Sequence, residues 1–346
     1  MTTIRIGIIG SGFMGVTHAK AVTEIASTQL VAVAGGTRAA KLASDFHAVL
    51  EPSPETLIAR DDIDAVILAT PHFVHAAHGL LALRSGKHVL VEKPLATTVE
   101  DCEALLDAAK HANRVLAVGF HQRFRSNNKL ARSYIQSGVF GELQAAQVSM
   151  ISSSDPLMAD AGFGGNWAWW LDPRSVGDVL NTGPHAIDML RWLTGSEVLS
   201  IAAMCRTFRQ ASPVEDTTVS LMALTNGAVC SFISSSIVPA PGIPGEEFRL
   251  RLFGSKAVMD LDPYGEVRMS ANGELTTVAV QSAIGQQSTT LLNDARMAAF
   301  CEQVEDFVAA IEGKPSAIGR GEDGRITVQL CLAMIEASRS QRVLTF

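Results

Sequence analysis

The chain has 346 residues, 47% hydrophobic and 18% charged, which is material for about two domains with buried cores and excludes a disordered chain. Lys plus Arg number 28 against 35 Asp plus Glu, a formal net charge of −7 with no basic run. General nucleic-acid binding is therefore excluded, because phosphate contacts need surplus positive charge. The five cysteines, Cys102, Cys205, Cys230, Cys301 and Cys331, are odd in number and form no CxxC pair. They read as small buried hydrophobes in a reducing compartment, not as a disulfide framework or a zinc site. The first residues run straight into a glycine loop instead of resembling a leader, and no apolar run reaches the ~20 residues of a membrane helix. A cytoplasmic protein that engages no membrane is expected.

Short apolar runs at 4–9, 30–34, 65–69, 88–91 and 115–118 alternate with helical stretches such as 74–84 and 99–111. The runs are rich in Val, Ile and Leu without alternation, as strands buried on both faces are. The pattern predicts a Rossmann-type, doubly wound parallel sheet over 1–123. Beyond it lie a helix at 128–136, a mixed polar and apolar segment at 142–153, an aromatic loop at 163–170 and a helix at 178–193 ended by Gly195. Segments 217–224, 228–234 and 248–253 read as strands, with Asn226-Gly227 as a hairpin turn. Two helices follow, near 291–312 and 321–338. The expectation for 124–346 is an α+β domain with a large, mainly antiparallel sheet, whose outer face can pair subunits into a homodimer or homotetramer.

Gly10-Ser11-Gly12-Phe13-Met14-Gly15 matches GxGxxG between the first strand and a helix. The first glycine makes a tight turn, the second lets backbone approach a pyrophosphate and the third lets helix and strand pack closely. A structural glycine turn is the alternative. The ribose carboxylate expected about 20 residues on is absent; the second strand ends Ala34-Gly35-Gly36-Thr37-Arg38. The Thr37 hydroxyl and Arg38 guanidinium suit a 2′-phosphate, which leans toward NADP over NAD, with a solvated Arg38 as the alternative. At 89–94, Glu92 and Lys93 stand where an apolar strand ends, the edge at which open α/β sheets bind ligands. A partly desolvated Lys93 can donate or accept a proton there, Glu92 can tune it or hold a ribose, and Pro94 restricts the backbone of Lys93. An ordinary strand-end lysine is the alternative.

These segments, with Ala69-Thr70-Pro71-His72-Phe73-Val74-His75, Gly119-Phe120-His121-Gln122-Arg123 and the stretch from Trp169 to Asp188, resemble the glucose-fructose oxidoreductase, inositol dehydrogenase and MocA family in the family's own order. The resemblance implies a nicotinamide-dependent oxidoreductase that moves a hydride between NAD(P) and a secondary alcohol or ketone of a sugar, cyclitol or related small molecule. It implies Lys93 as general acid/base, His185 as its partner, and a cis Lys93-Pro94 peptide. Thr70, Pro71, His72, His75 and Gln122 join the glycine loop, Thr37, Arg38, Glu92 and Lys93 as cofactor contacts. Arg123, Trp170, Asp178, Asn181 and His185 join Lys93 at the substrate. One departure stands out. The family usually has Asp four residues before the histidine, and here that residue is Asn181, which can hydrogen-bond but not act as a base. Asp178, on nearly the same helical face, is either its partial replacement or a structural helix-start acid. Core packing is as good a reading for the Trp167, Trp169 and Trp170 cluster as stacking on a sugar face. The spacing of His72, His75 and His78 turns their rings apart, and no metal is expected. The rival functions are a glycosidase that uses NAD transiently and a non-catalytic nucleotide sensor on the same fold.

Overall fold

The structure is a computed structural model and describes residues 3–152, 168–210, 212–239, 242–271, 273–281 and 292–346. In chain order the first elements are β1 (Ile4–Ile9), α1 (Phe13–Glu24), β2 (Thr28–Ala34), α2 (Ala39–Asp45), β3 (Val49–Leu50), α3 (Pro54–Ile58), β4 (Ala65–Leu68), α4 (His75–Arg84), β5 (His88–Val91), α5 (Val99–Ala112) and β6 (Leu116–Val118). There follow α6 (Ser126–Gln136), β7 (Leu143–Ile151), α7 (Asp178–Thr194), β8 (Val198–Arg206), β9 (Thr217–Leu224), β10 (Val229–Ser235), β11 (Arg249–Gly254), β12 (Val258–Leu261), β13 (Glu266–Ala271), β14 (Glu274–Val280), α8 (Asp294–Ile311) and α9 (Gly321–Ser340). The chain forms two compact units, one of residues 3–121 with 296–328, the other of the remaining described residues.

The first unit is built on a sheet in the order β6-β5-β4-β1-β2-β3, all parallel, with Gly319–Arg320 added antiparallel beside β6. β4 and the last three residues of β5 are fully buried, which is why these strands carry unbroken apolar runs. A single cut at residue 123 does not describe this unit, because residues 296–328 return to it. Phe300 packs its ring against those of His18 and His121. At Gly324 a Cβ would lie 2.7 Å from Val118 and 2.9 Å from Leu95, so α9 begins pressed directly against the sheet.

The second unit holds a sheet in the order β14-β13-β12-β11-β7-β10-β9-β8, with Leu344–Thr345 beyond β8. All neighbours are antiparallel except β7 and β10. The mixed segment at 142–153 contains the central strand β7. The Asn226-Gly227 turn joins β9 to β10, with Gly227 at φ +85° and the Leu224 N–H bonded to the Ala228 carbonyl. α6 and α7 lie on one face. The other face presents Met204, Val219, Leu221 and Val229 to solvent.

Candidate active site

The three glycines of the first loop divide their work as their spacing predicts. Gly10 has φ +115°, and a Cβ on it would stand 2.2 Å from the Ala69 carbonyl oxygen. A Cβ on Gly15 would stand 2.1 Å from the Gly10 carbonyl oxygen. On Gly12, by contrast, it would meet nothing among the described residues nearer than an Arg38 guanidinium nitrogen at 4.0 Å. Gly12 therefore keeps open a cradle that no described residue fills. It is also the N-cap of α1, with no side-chain cap and no acid in the first turn, so the backbone donors and the positive end of the helix face that space. The cradle fits a dinucleotide pyrophosphate. Ser11 accepts from the Arg38 N–H through its Oγ at 3.2 Å. Phe13 and Met14 begin α1, half-buried, and Thr37 and Arg38 stand exposed after β2.

At the neighbouring strand ends the reading needs correction. Lys93 is half-buried just beyond β5, and the Lys93-Pro94 peptide is cis. The buried Thr70 Oγ1 after β4 has no hydrogen-bond partner among the described residues, an orphan that suits a ligand group. Pro71 leads into His72, which is buried, and burial holds its pKa well below the usual imidazole value. His75 is wholly buried, with Nδ1 2.8 Å from the Pro94 carbonyl and Nε2 2.9 Å from that of Thr70. Glu92 turns inward, its Oε1 2.7 Å from His18 Nε2, in room that Gly119 leaves, since a Cβ there would lie 2.8 Å from Oε1. His75 and Glu92 thus belong to the interior and are not open cofactor contacts, because both are enclosed and engaged by the protein itself.

In the second unit, Asp178, Asn181, His185 and Asp188 fall on one stripe of α7 and are all buried. Arg123 is not an open substrate contact: its Nε donates to Asp188 Oδ2 at 2.9 Å and its second nitrogen to Oδ1, a bidentate buried pair. Gln122 is also engaged by the protein itself, being fully buried; its Nε2 donates to the Tyr264 hydroxyl at 2.8 Å and its Oε1 accepts from Arg125 Nε at 3.1 Å. Asp178 accepts from Ser234 Oγ at 2.7 Å, and burial pushes its pKa up. Glu215, which no spacing argument flagged, places Oε1 2.6 Å from the Val179 N–H in the first turn of α7. Burial and then the Asp178 charge raise its pKa. A Cβ on Gly177 would lie 2.5 Å from that carboxylate. Trp170 is half-buried and meets Trp169 edge to face at 6.1 Å; Trp167 lies outside the described residues.

The family described as "Oxidoreductase family, NAD-binding Rossmann fold" matches residues 4–120, and "GFO/IDH/MocA C-terminal domain" matches 128–260. The chain belongs to the Gfo/Idh/MocA oxidoreductase family. Among similar relatives, inositol 2-dehydrogenase 3 of Saccharopolyspora erythraea is 28% identical over 99% of this chain and 95% of its own. UDP-N-acetylglucosamine 3-dehydrogenase of Acidithiobacillus ferrooxidans is 25% identical over 94% of each chain. A crystal structure of a putative myo-inositol dehydrogenase from Sinorhizobium meliloti superposes with a TM-score of 0.81 at 25% identity, covering 99% of both chains. This Gfo/Idh/MocA member thus carries an NAD-binding Rossmann domain followed by the family's C-terminal domain. Among its described residues no group of three His, Cys, Asp or Glu is placed to hold a metal ion, and no helix is long and apolar enough to cross a membrane.

Proposed function

We propose that the protein is an NAD(P)-dependent dehydrogenase or reductase of CH–OH groups, acting on a secondary alcohol or ketone of a sugar, cyclitol or related polyhydroxylated substrate. The observation that carries this reading is the shared sheet edge. β1, β4 and β5 run parallel, so the Gly10–Gly15 loop, Thr70-Pro71 and Lys93 all follow the carboxyl ends of their strands, where such sheets bind ligands. The loop would hold the pyrophosphate, and the nicotinamide ring would supply the hydride acceptor or donor.

Lys93 is the general acid/base: as an amine it takes the hydroxyl proton during oxidation, and as an ammonium it returns one during reduction. His185 is its partner on the substrate. Asn181 hydrogen-bonds a hydroxyl through its amide and moves no proton. Asp178 lines the same helix stripe, and Trp170 offers a ring to sugar C–H groups. Arg38, with no carboxylate after β2, favours NADP. The relatives' names, on inositol and on a nucleotide sugar, support a polyhydroxylated substrate. The first unit is the dinucleotide domain. The second binds substrate and pairs subunits into a dimer or tetramer through the exposed face around Leu221, which is 62% exposed, and Met204, 68% exposed. No disulfide joins the five cysteines among the described residues, and a reducing, cytoplasmic setting is part of the same proposal.

The test follows nicotinamide absorbance with NAD and NADP over a panel of sugars, inositols, glycosides and dihydrodiols. Lys93→Ala is expected to bind cofactor normally and to lose turnover about 10²–10⁴-fold. Undiminished turnover in that variant overturns the role of Lys93, and a monomer by light scattering overturns the assembly.

A further inference from the structure

We propose that His75 is the positioning residue for Lys93: its ring ties the chain after β4 to the chain after β5, through the Pro94 carbonyl. This rests on the dehydrogenase reading above. The backbone ladder between β4 and β5 ends at Leu68 and Val91, and the last bond runs from the Glu92 N–H to the Leu68 carbonyl at 2.9 Å. Beyond it both stretches carry groups at the ligand edge of the sheet. His75, the first residue of α4, bridges them. Its Nδ1 faces the Pro94 carbonyl at 2.8 Å and its Nε2 the Thr70 carbonyl at 2.9 Å, with the ring fully buried. A buried carbonyl left without a donor is costly, so the ring meets a real demand of the backbone.

The two contacts are not equivalent. A neutral imidazole has one N–H, and both partners are acceptors, so it serves only one of them. Burial lowers the pKa of His75, outweighing the two carbonyls and the Glu92 charge, which raise it, while His78 adds a small lowering effect. Burial thus favours the neutral ring. Its proton sits on Nδ1, because the Pro94 contact is wholly buried whereas the Thr70 carbonyl is partly open and can find a donor elsewhere. The hydrogen bond that matters thus fixes the residue directly after Lys93. His72, with its ring 5.8 Å away, packs beside the clamp.

The experiment compares His75→Asn, His75→Gln and His75→Ala in the full-length protein. Asn places an amide donor near Nδ1 and keeps the Pro94 bond; Gln places one near Nε2 and keeps only the Thr70 bond. We expect kcat to fall ~10²-fold in the Ala and Gln variants, the scale of a small misplacement of a catalytic group. Asn should recover to within about tenfold of the parent. Cofactor affinity, read by fluorescence titration, should stay within about twofold in all three, and the basic limb of the pH–rate profile should move in Ala and Gln only. A purely structural residue gives kcat losses that follow thermal stability and no recovery in Asn, which overturns the proposal. Should the variants not fold, histidine ¹⁵N shifts of the unaltered protein decide: a proton on Nδ1 of His75 supports it, and one on Nε2 refutes it. Failure of the dehydrogenase reading is separate, since it shows as no change in nicotinamide absorbance with the unaltered protein across the substrate panel.

Discussion

Replacing Asp188 by Asn separates two roles for Arg123. The pair is bidentate, Arg123 is 7% exposed and Asp188 is fully buried. Two unit charges about 4 Å apart at an effective dielectric of 20 attract by ~4 kcal/mol. Asn keeps the shape but leaves the guanidinium buried without its counter-charge, which costs about 3–5 kcal/mol. At about 2–4 °C per kcal/mol for a domain of this size, the thermal transition of the second unit should fall by about 6–20 °C. The double variant Arg123→Met with Asp188→Leu should regain most of that loss, because it removes both charges together. Scanning calorimetry reads the transitions, and steady-state kinetics on a responding substrate reads KM. If Asp188→Asn costs under about 1 kcal/mol while Arg123→Lys raises KM at unchanged stability, the buried-pair argument is wrong and Arg123 is a substrate contact after all.

Val176 has φ +75° immediately before Gly177 and α7, a conformation that strains a β-branched residue by about 1–3 kcal/mol. Val176→Gly should therefore raise stability by about 1 kcal/mol even after the entropy cost of glycine; a lower melting temperature would count against this strain. Gly12→Ala should fold normally and weaken cofactor binding about tenfold or more, whereas Gly15→Ala should lose stability, because its Cβ would strike the Gly10 carbonyl; equal effects in the two would remove the distinction between cradle and packing glycines. His88 accepts from the Val115 N–H, and burial, aided by the Arg114 charge, pushes its pKa down from 6.5 to about 4. The unfolded chain then binds the extra proton first, so this contribution is full above pH 6.5 and is lost as pH falls toward 4. After discounting for partial exposure it is worth about 1–2 kcal/mol. Acid unfolding curves of His88→Gln should lack that step, and an unchanged curve would refute it.

What could be read from the sequence was local. A glycine loop between strand and helix, a charged residue where an apolar run stops and an Asn-Gly turn each declare themselves within a dozen residues, because their physics is that of neighbouring backbone. Several of the differences concern partners far away in the chain. Glu92 meets His18 and Arg123 meets Asp188 across separations of 74 and 65 residues, and a polar side chain looks the same in sequence whether it faces a ligand or a buried counter-charge. Glu215 had no local signature because its partner, the first turn of α7, lies 36 residues away. The strand β7 was hidden by its place between two strands, where the buried positions follow no simple alternation.

The return of residues 296–328 to the first unit bears on how the protein is made. Its nucleotide unit cannot be completed while the ribosome is still working through the second unit, since the residues that flank β6 and enclose His18 come last. The early strands must wait, partly uncovered, until synthesis has passed residue 328. Contacts between such distant parts of a chain form slowly and leave apolar surface exposed in the interval. A fragment ending near residue 121 should accordingly aggregate where the whole chain folds.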